Sequence, residues 1–310
     1  VRQVSPRLSE FLQQLINGLA LGAIYALIAL GYTMVYGVLR FINFAHGDVF
    51  MLGAFAGYYL SPLVNRFLPA QSYLGGALVL GLAMLICAGL GMLIEFLAYR
   101  PLRKRPKLTV LITAIGVSLF IEYTCQHEKI FGAAPRKFPD LIPTTTWHFA
   151  GLVLSSNQVI VFVTTLGLLG ALSYIVKRTR IGTAMRAVAF NEQAAALMGV
   201  NINSIISFTF ALGSALAAAG GILFAMNYAS IEPLMGVQTG LKAFIAAVFG
   251  GIGNLPGAAL GGGILGVIET YAGGIPGLSN YRDGIAFAIL ILVLLFRPAG
   301  LLGKSTTEKV

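Results

Sequence analysis

The sequence predicts an all-α, polytopic helical membrane protein of about eight spans, some of them broken or re-entrant. Three observations carry that reading. Of the 310 residues, 57% are hydrophobic and 10% charged, with a mean hydropathy of +0.84. Soluble domains carry about 25% charged residues, so a soluble fold would lack the polar surface to cover itself. Apolar stretches close to the ~20 residues needed for one crossing recur along the chain. Basic residues gather in the short loops between them, the positive-inside pattern. The net charge of +10 therefore sets topology and does not point to nucleic acid. One transmembrane domain over residues 1–310 accommodates the whole pattern.

The first stretch, 11–39, is too long for the apolar part of a signal peptide and has no clear cleavage site, so it reads as an uncleaved span. Stretches 46–64, 72–98, 108–126, 156–176 and 204–228 follow. The next, 239–272, exceeds one crossing and is interrupted by Gly253-Asn254-Leu255-Pro256-Gly257, which predicts two spans or a broken helix. Stretch 284–296 completes the series.

Loop charge orients these segments. The 100–107 loop carries Arg100, Arg103, Lys104, Arg105 and Lys107 without an acid, and the 177–203 loop carries Lys177, Arg178, Arg180 and Arg186 against Glu192 alone. Both read as cytoplasmic, as does the tail with Arg297, Lys304 and Lys309. The 127–155 loop mixes both signs with three prolines and Trp147 and fits the external side.

Polar groups at membrane depth are the candidates for chemistry, because they are tolerated only against a bundle interior or a water-filled path. The stretch Phe41-Ile42-Asn43-Phe44-Ala45-His46-Gly47-Asp48 places Asn43, His46 and Asp48 between two uncharged runs. Either they line a translocation pathway, or Asp48 caps a helix at the surface with Asn43 and His46 among the headgroups. A weak internal echo adds two more candidates: Gly37, Asn43, Asp48 and Met51 match Gly221, Asn227, Glu232 and Met235 at an offset of 184. In a parallel repeat, Asn43 and Asn227 share the external side and 46–64 is re-entrant; otherwise charge counting puts the N-terminus outside. Of the remaining intramembrane charges, Glu95 and Lys242 lie near predicted ends and are expected to snorkel. Glu122 lies late in its span, and Glu269 is free to pair inside the bundle. Gly257/Gly261 and Gly262/Gly266 are expected to pack against a neighbouring helix.

Catalysis has little support. Three scattered histidines form no HExxH pattern, and Cys87 and Cys125 lack metal-ligand spacing. Gly303-Lys304-Ser305 imitates the end of a phosphate-binding loop, but Pro298 stands where its first glycine belongs. The 177–203 loop is more informative. Its alanine-rich second half, with Asn191 placed to cap it, predicts a short helix ending at Gly199. That helix is either a lever for a partner or a basic loop that only sets topology.

Gln193-Ala194-Ala195-Ala196-Leu197-Met198-Gly199 resembles the EAA-xxx-G coupling motif of ABC importer permeases, with Gln193 at the motif's glutamate and Glu192 one residue early. Gly31-Tyr32-Thr33-Met34-Val35-Tyr36-Gly37, the Asn43–Asp48 stretch and the block Ala247–Gly257 resemble LivH-type permeases of branched-chain amino acid ABC importers. Urea-type and broader amino-acid permeases share the Asn-Phe-Ala-His-Gly block. The resemblance implies a multi-pass subunit of a prokaryotic inner membrane, surrounded by lipid and binding no cofactor of its own. Its implied partners are a second homologous permease, two ATP-binding subunits that use ATP and Mg, and an extracytoplasmic amino-acid-binding protein. Coupling would fall to Arg186, Glu192, Gln193, Ala194, Ala195 and Gly199. The competing class is a stand-alone secondary transporter or channel with His46 and Asp48 as a proton or cation site.

Overall fold

The computed structural model describes residues 6–303 except Lys104 and Ala150, so Lys104, Lys304, Ser305 and Lys309 lie outside the described residues. The chain runs through α1 (Pro6–Leu39), α2 (His46–Val64), α3 (Tyr73–Ile94), α4 (Lys107–Gln126), α5 (Ser156–Arg178) and α6 (Arg180–Phe190). It continues through α7 (Glu192–Leu197), α8 (Ile202–Tyr228), α9 (Met235–Gly250), α10 (Leu255–Gly274) and α11 (Arg282–Phe296). Past Ile94, α3 widens into a π turn, Glu95–Tyr99, and tightens again over Arg100–Leu102.

Among the described residues, six helices are long and apolar enough to cross a membrane: α1, α3, α4, α5, α8 and the α11 segment. Burial separates them into two classes. The most apolar windows of α1 and α8 are 89% and 78% buried, against 22% or less for the other four. Helices apolar all round at the periphery face lipid; α1 and α8 form the centre, with α2, α9 and α10 packed against them.

Local chemistry sets the breaks. Ser72, Ser155, Asn191, Asn201 and Asn254 each accept a backbone N–H in the first turn of the helix they precede. The predicted interruption of 239–272 separates α9 from α10, beginning at Gly251 (φ +107°), with Pro256 in the first turn of α10. Small residues allow the central helices to touch by backbone. Gly262 and Gly266 lie against Ala26, Gly22 and Gly18 of α1, while Gly257 and Gly261 lie against Gly250 and Ala246 of α9, all within this chain.

Contacts at the ends of α1 fix the topology. Gln13 exchanges two hydrogen bonds with the Val153 backbone (2.9 and 2.8 Å), on a hairpin of β2 (Thr146–Phe149) and β3 (Leu152–Ser155) in the 127–155 loop. At the other end, Arg40 donates to the Ala189 carbonyl in the 177–203 loop (3.4 Å). By the positive-inside rule the start of α1 is external and its end cytoplasmic. α2 returns outward, where Arg136 donates to the Tyr59 hydroxyl (2.9 Å). The strand β1 (Arg136–Lys137) pairs there with β4 (Ser230–Ile231), just after α8. Asn43 and Asn227 therefore lie on opposite sides, and the parallel repeat with a re-entrant 46–64 does not form.

An inverted correspondence takes its place, in a different register. Leu39 and Tyr228 end their helices, Arg40 and Ala229 adopt left-handed φ (54° and 53°), and His46 and Met235 begin the next helices. Each pair stands 189 residues apart, not 184. The contacts obey the same exchange: α1 packs on α10 as α8 packs on α3, and α2 packs on α8 as α9 packs on α1. At the centre, Gly47 of α2 meets its equivalent, Gly236 of α9. A Cβ on Gly47 would stand 2.5 Å from the Gly236 carbonyl oxygen.

Candidate functional site

Asp48 points into a cavity of about 140 Å³ between α1, α2, α4 and α9. Only 1% exposed, it accepts a 2.5 Å hydrogen bond from Ser118, whose hydroxyl also lies 3.3 Å from Glu122. Ser118 and Glu122 are one helical turn apart on α4 and so share a face. The opposite wall is apolar and aromatic: Phe44, Tyr32, Val237, Leu241 and Phe244. Tyr32 and Phe44 both pack on Phe244, with centroids 5.8 and 6.4 Å away. Glu122 and Val237 also line a larger vestibule of about 620 Å³ reaching Tyr228, Ser230 and Glu232. Glu122 and Val237 thus stand between the vestibule and the Asp48 cavity.

The other pathway candidates divide. Glu232 is exposed at the vestibule mouth. Asn227 is half-buried near the end of α8 and lines neither cavity. Asn43 is buried and accepts a 2.6 Å bond from the Tyr99 hydroxyl; Tyr99 in turn stacks on Phe41 (5.2 Å), which borders a cavity among the basic residues Arg40, Arg103 and Arg105. His46 is fully buried against the Gly31 backbone and the edge of Tyr32 (4.6 Å). Among the described residues neither ring nitrogen has a hydrogen-bond partner of good geometry, and the Ile28 backbone is the polar group nearest the ring. His46 is therefore packed beside the cavity and is not among the residues that line it. Asp48 lies inside the bundle, so the reading of a cap at the surface does not hold. Ser118 went unnoticed in the sequence, although a serine and a glutamate four apart in an apolar span were the signal.

Glu95 and Lys242 do not snorkel. Glu95 is buried at the π turn, where it pairs with Arg103 and accepts from Ser207 (2.6 Å), tying α3 to α8. Lys242 is 2.6 Å from Glu269 and 2.7 Å from Asp283, and Glu269 accepts from the Tyr25 hydroxyl (2.7 Å). Four helices, α1, α9, α10 and α11, meet at that cluster. Burying a charge requires a paired, hydrogen-bonded partner, and hydropathy alone does not reveal which way such a side chain turns.

On the cytoplasmic side the predicted short helix forms as α7, and a separate helix, α6, precedes it up to Asn191. Asn191 caps α7 by accepting from the Ala194 N–H (2.9 Å). Gly199, at φ +83°, ends the turn with Val200 N–H bonded to the Ala195 carbonyl (3.0 Å). Arg186 donates to the Val176 carbonyl and so braces α6 on α5. Ala195 is buried, whereas Glu192, Gln193 and Ala194 are exposed. Beside them Phe190, Leu197 and Met198 are 87%, 89% and 85% exposed, an apolar patch that the sequence reading missed.

Residues 14–294 match the family described as branched-chain amino acid transport system, permease component. The chain belongs to this family. Among its relatives, the high-affinity branched-chain amino acid transport system permease protein BraD of Pseudomonas aeruginosa is 41% identical over 98% of this chain and 100% of its own. The LivH permease proteins of the same system in Salmonella typhimurium and Escherichia coli K12 are 41% and 40% identical, over 99% of this chain and all of theirs. Such chains are permeases, not enzymes.

Proposed function

We propose that this permease is the membrane-crossing subunit of an ATP-driven importer for branched-chain or related neutral amino acids, in the inner membrane of a prokaryote. It works with a second homologous permease, two ATP-binding subunits that hold ATP and Mg, and an extracytoplasmic amino-acid-binding protein; it binds no cofactor itself. The observation that carries this reading is the bare patch of Phe190, Leu197 and Met198 on the α6–α7 elbow, beside the basic cytoplasmic ends of the spans. Large apolar side chains exposed together mark a partner surface. Here the partner is the ATP-binding subunit.

The external vestibule borders the Asp48 cavity at Glu122 and Val237, while Phe41, Tyr99 and Asn43 pack together toward the cytoplasmic side. Closure of the ATP-binding subunits would move α7 and, through Arg186 and α5, rearrange the spans about the Gly47–Gly236 contact. Access to the cavity would then pass from one side of the membrane to the other.

Leu197→Asp and Met198→Asp each remove an apolar contact worth about 1.5–3 kcal/mol when buried. Each is expected to weaken retention of the ATP-binding subunit by at least about tenfold, read by co-purification in mild detergent. Glu192→Lys and Gly199→Val should leave the complex assembled but hydrolysing ATP without uptake. Recovery of a lone chain that still transports after reconstitution, independent of ATP, would instead establish the secondary-transporter reading.

A further inference from the structure

Asp48 is buried without a cation. Among the described residues no lysine, arginine or histidine pairs with it or with Glu122, although the other buried carboxylates, Glu95 and Glu269, each have one. An ionised carboxylate offers about four acceptor sites; Asp48 receives the Ser118 hydroxyl and its own backbone N–H, and its remaining side-chain neighbour is a second carboxyl, Glu122, at hydrogen-bond range. Such a group at membrane depth calls for a positive partner.

The cavity that Asp48 faces is divided. One side carries Asp48, Ser118 and Glu122; the other carries Phe44, Tyr32, Val237, Leu241 and Phe244. The inverted repeat accounts for the division, because Asp48 and Val237 are equivalent positions, 189 residues apart, facing the same space. One half supplies the charge and the other the apolar wall. At about 140 Å³ the cavity is smaller than the ~300 Å³ at which drug-sized pockets begin, so it suits a small solute. The first turns of α2 and α9 also meet here, at Gly47 and Gly236.

We infer that Asp48 and Glu122 form a recognition site for the α-ammonium group of a neutral amino acid, whose aliphatic side chain lies against Val237, Leu241 and Phe244. The inference rests on the importer reading above. It adds a selection step inside the membrane to whatever selection the binding protein makes: a solute of the same shape without an ammonium group leaves Asp48 unpaired and is rejected.

The test uses the complete transporter in proteoliposomes with saturating binding protein. Asp48→Asn and Glu122→Gln are expected to lower maximal leucine uptake by more than about tenfold, the scale for removing one member of a buried charge pair. Assembly and the binding protein's own affinity should not change, and Asp48→Glu should restore part of the rate. A second measurement follows maleimide labelling of V237C in the detergent-purified complex. Leucine should slow labelling several-fold, 2-hydroxy-4-methylpentanoate should not, and protection should vanish with E122Q. If the unmodified transporter takes up no leucine, the importer reading fails. If it does, and either the hydroxy acid protects as well as leucine or both variants transport at the original rate, the ammonium site is wrong. Should D48N fail to assemble, the E122Q labelling result decides.

Discussion

Gly47→Leu is expected to abolish uptake and to reduce sharply the folded permease recovered from membranes. A Cβ on Gly47 would stand 2.5 Å from the Gly236 carbonyl oxygen and 3.2 Å from the Gly240 Cα. Both obstacles are backbone, so no side chain can swing aside. The same conflict arises in reverse at Gly236, whose Cβ would meet the Gly47 carbonyl. Overpacking a core typically costs about 1–3 kcal/mol; here relief requires α2 and α9 to part along their whole contact, so the cost should reach or exceed the top of that range. Gly37→Ala is the control, since its Cβ would have only the Gly253 Cα nearby, at 3.8 Å. In the helical backbone there, alanine should be neutral or stabilising by about 0.4–1 kcal/mol. Uptake together with thermal unfolding of the purified complex checks both. Normal uptake by G47L would mean that the two helices do not meet there.

Lys242→Met should be the most damaging change in the buried charge cluster. It leaves Glu269, 5% exposed, with the Tyr25 hydroxyl at 2.7 Å and its next cation, Arg282, at 3.9 Å. Removing one member of a buried pair costs about 3–5 kcal/mol because the other charge stays uncompensated. Glu269→Gln should cost less, since Lys242 keeps Asp283 at 2.7 Å. The double change Lys242→Met, Glu269→Leu should recover much of the loss, because neither charge then remains buried. It would leave the Tyr25 hydroxyl unpaired, at about 1–3 kcal/mol. Denaturation midpoints of the purified complex should follow that order. If K242M and E269Q proved equally mild, the cluster would not hold α9 against α10 and α11.

Features with a local chemical signature were legible in the sequence. The apolar runs gave the spans, Asn254 and Pro256 marked the break between α9 and α10, and Asn191 with Gly199 bounded α7. Long-range features were not. The 184 offset came from matching residue types, whereas the true equivalence rests on left-handed turns at Arg40 and Ala229, residues with no shared chemistry. Glu95 and Lys242 looked like snorkelling residues because hydropathy gives depth but not the direction a side chain faces. Asp48 was identifiable as an expensive group, but its cavity depends on Ser118 and Glu122, seventy residues away or more, and on the α9 wall opposite. His46 was identifiable as a polar group at depth, but its close packing on Gly31 and Tyr32 joins residues fourteen or more apart and was not.

The inverted halves meeting at Gly47 and Gly236 bear on vectoriality. A scaffold that looks much the same after half a turn in the membrane plane offers a solute equivalent routes in either direction, and so contains no ratchet. Direction must be imposed by whatever breaks the likeness of the two faces. On one face that is the basic cytoplasmic fringe with the apolar α7 patch; on the other it is the pair of small strand ladders built on the 127–155 loop. Exchanging those appendages, while leaving the helical core untouched, is where a change in the direction of pumping would have to begin.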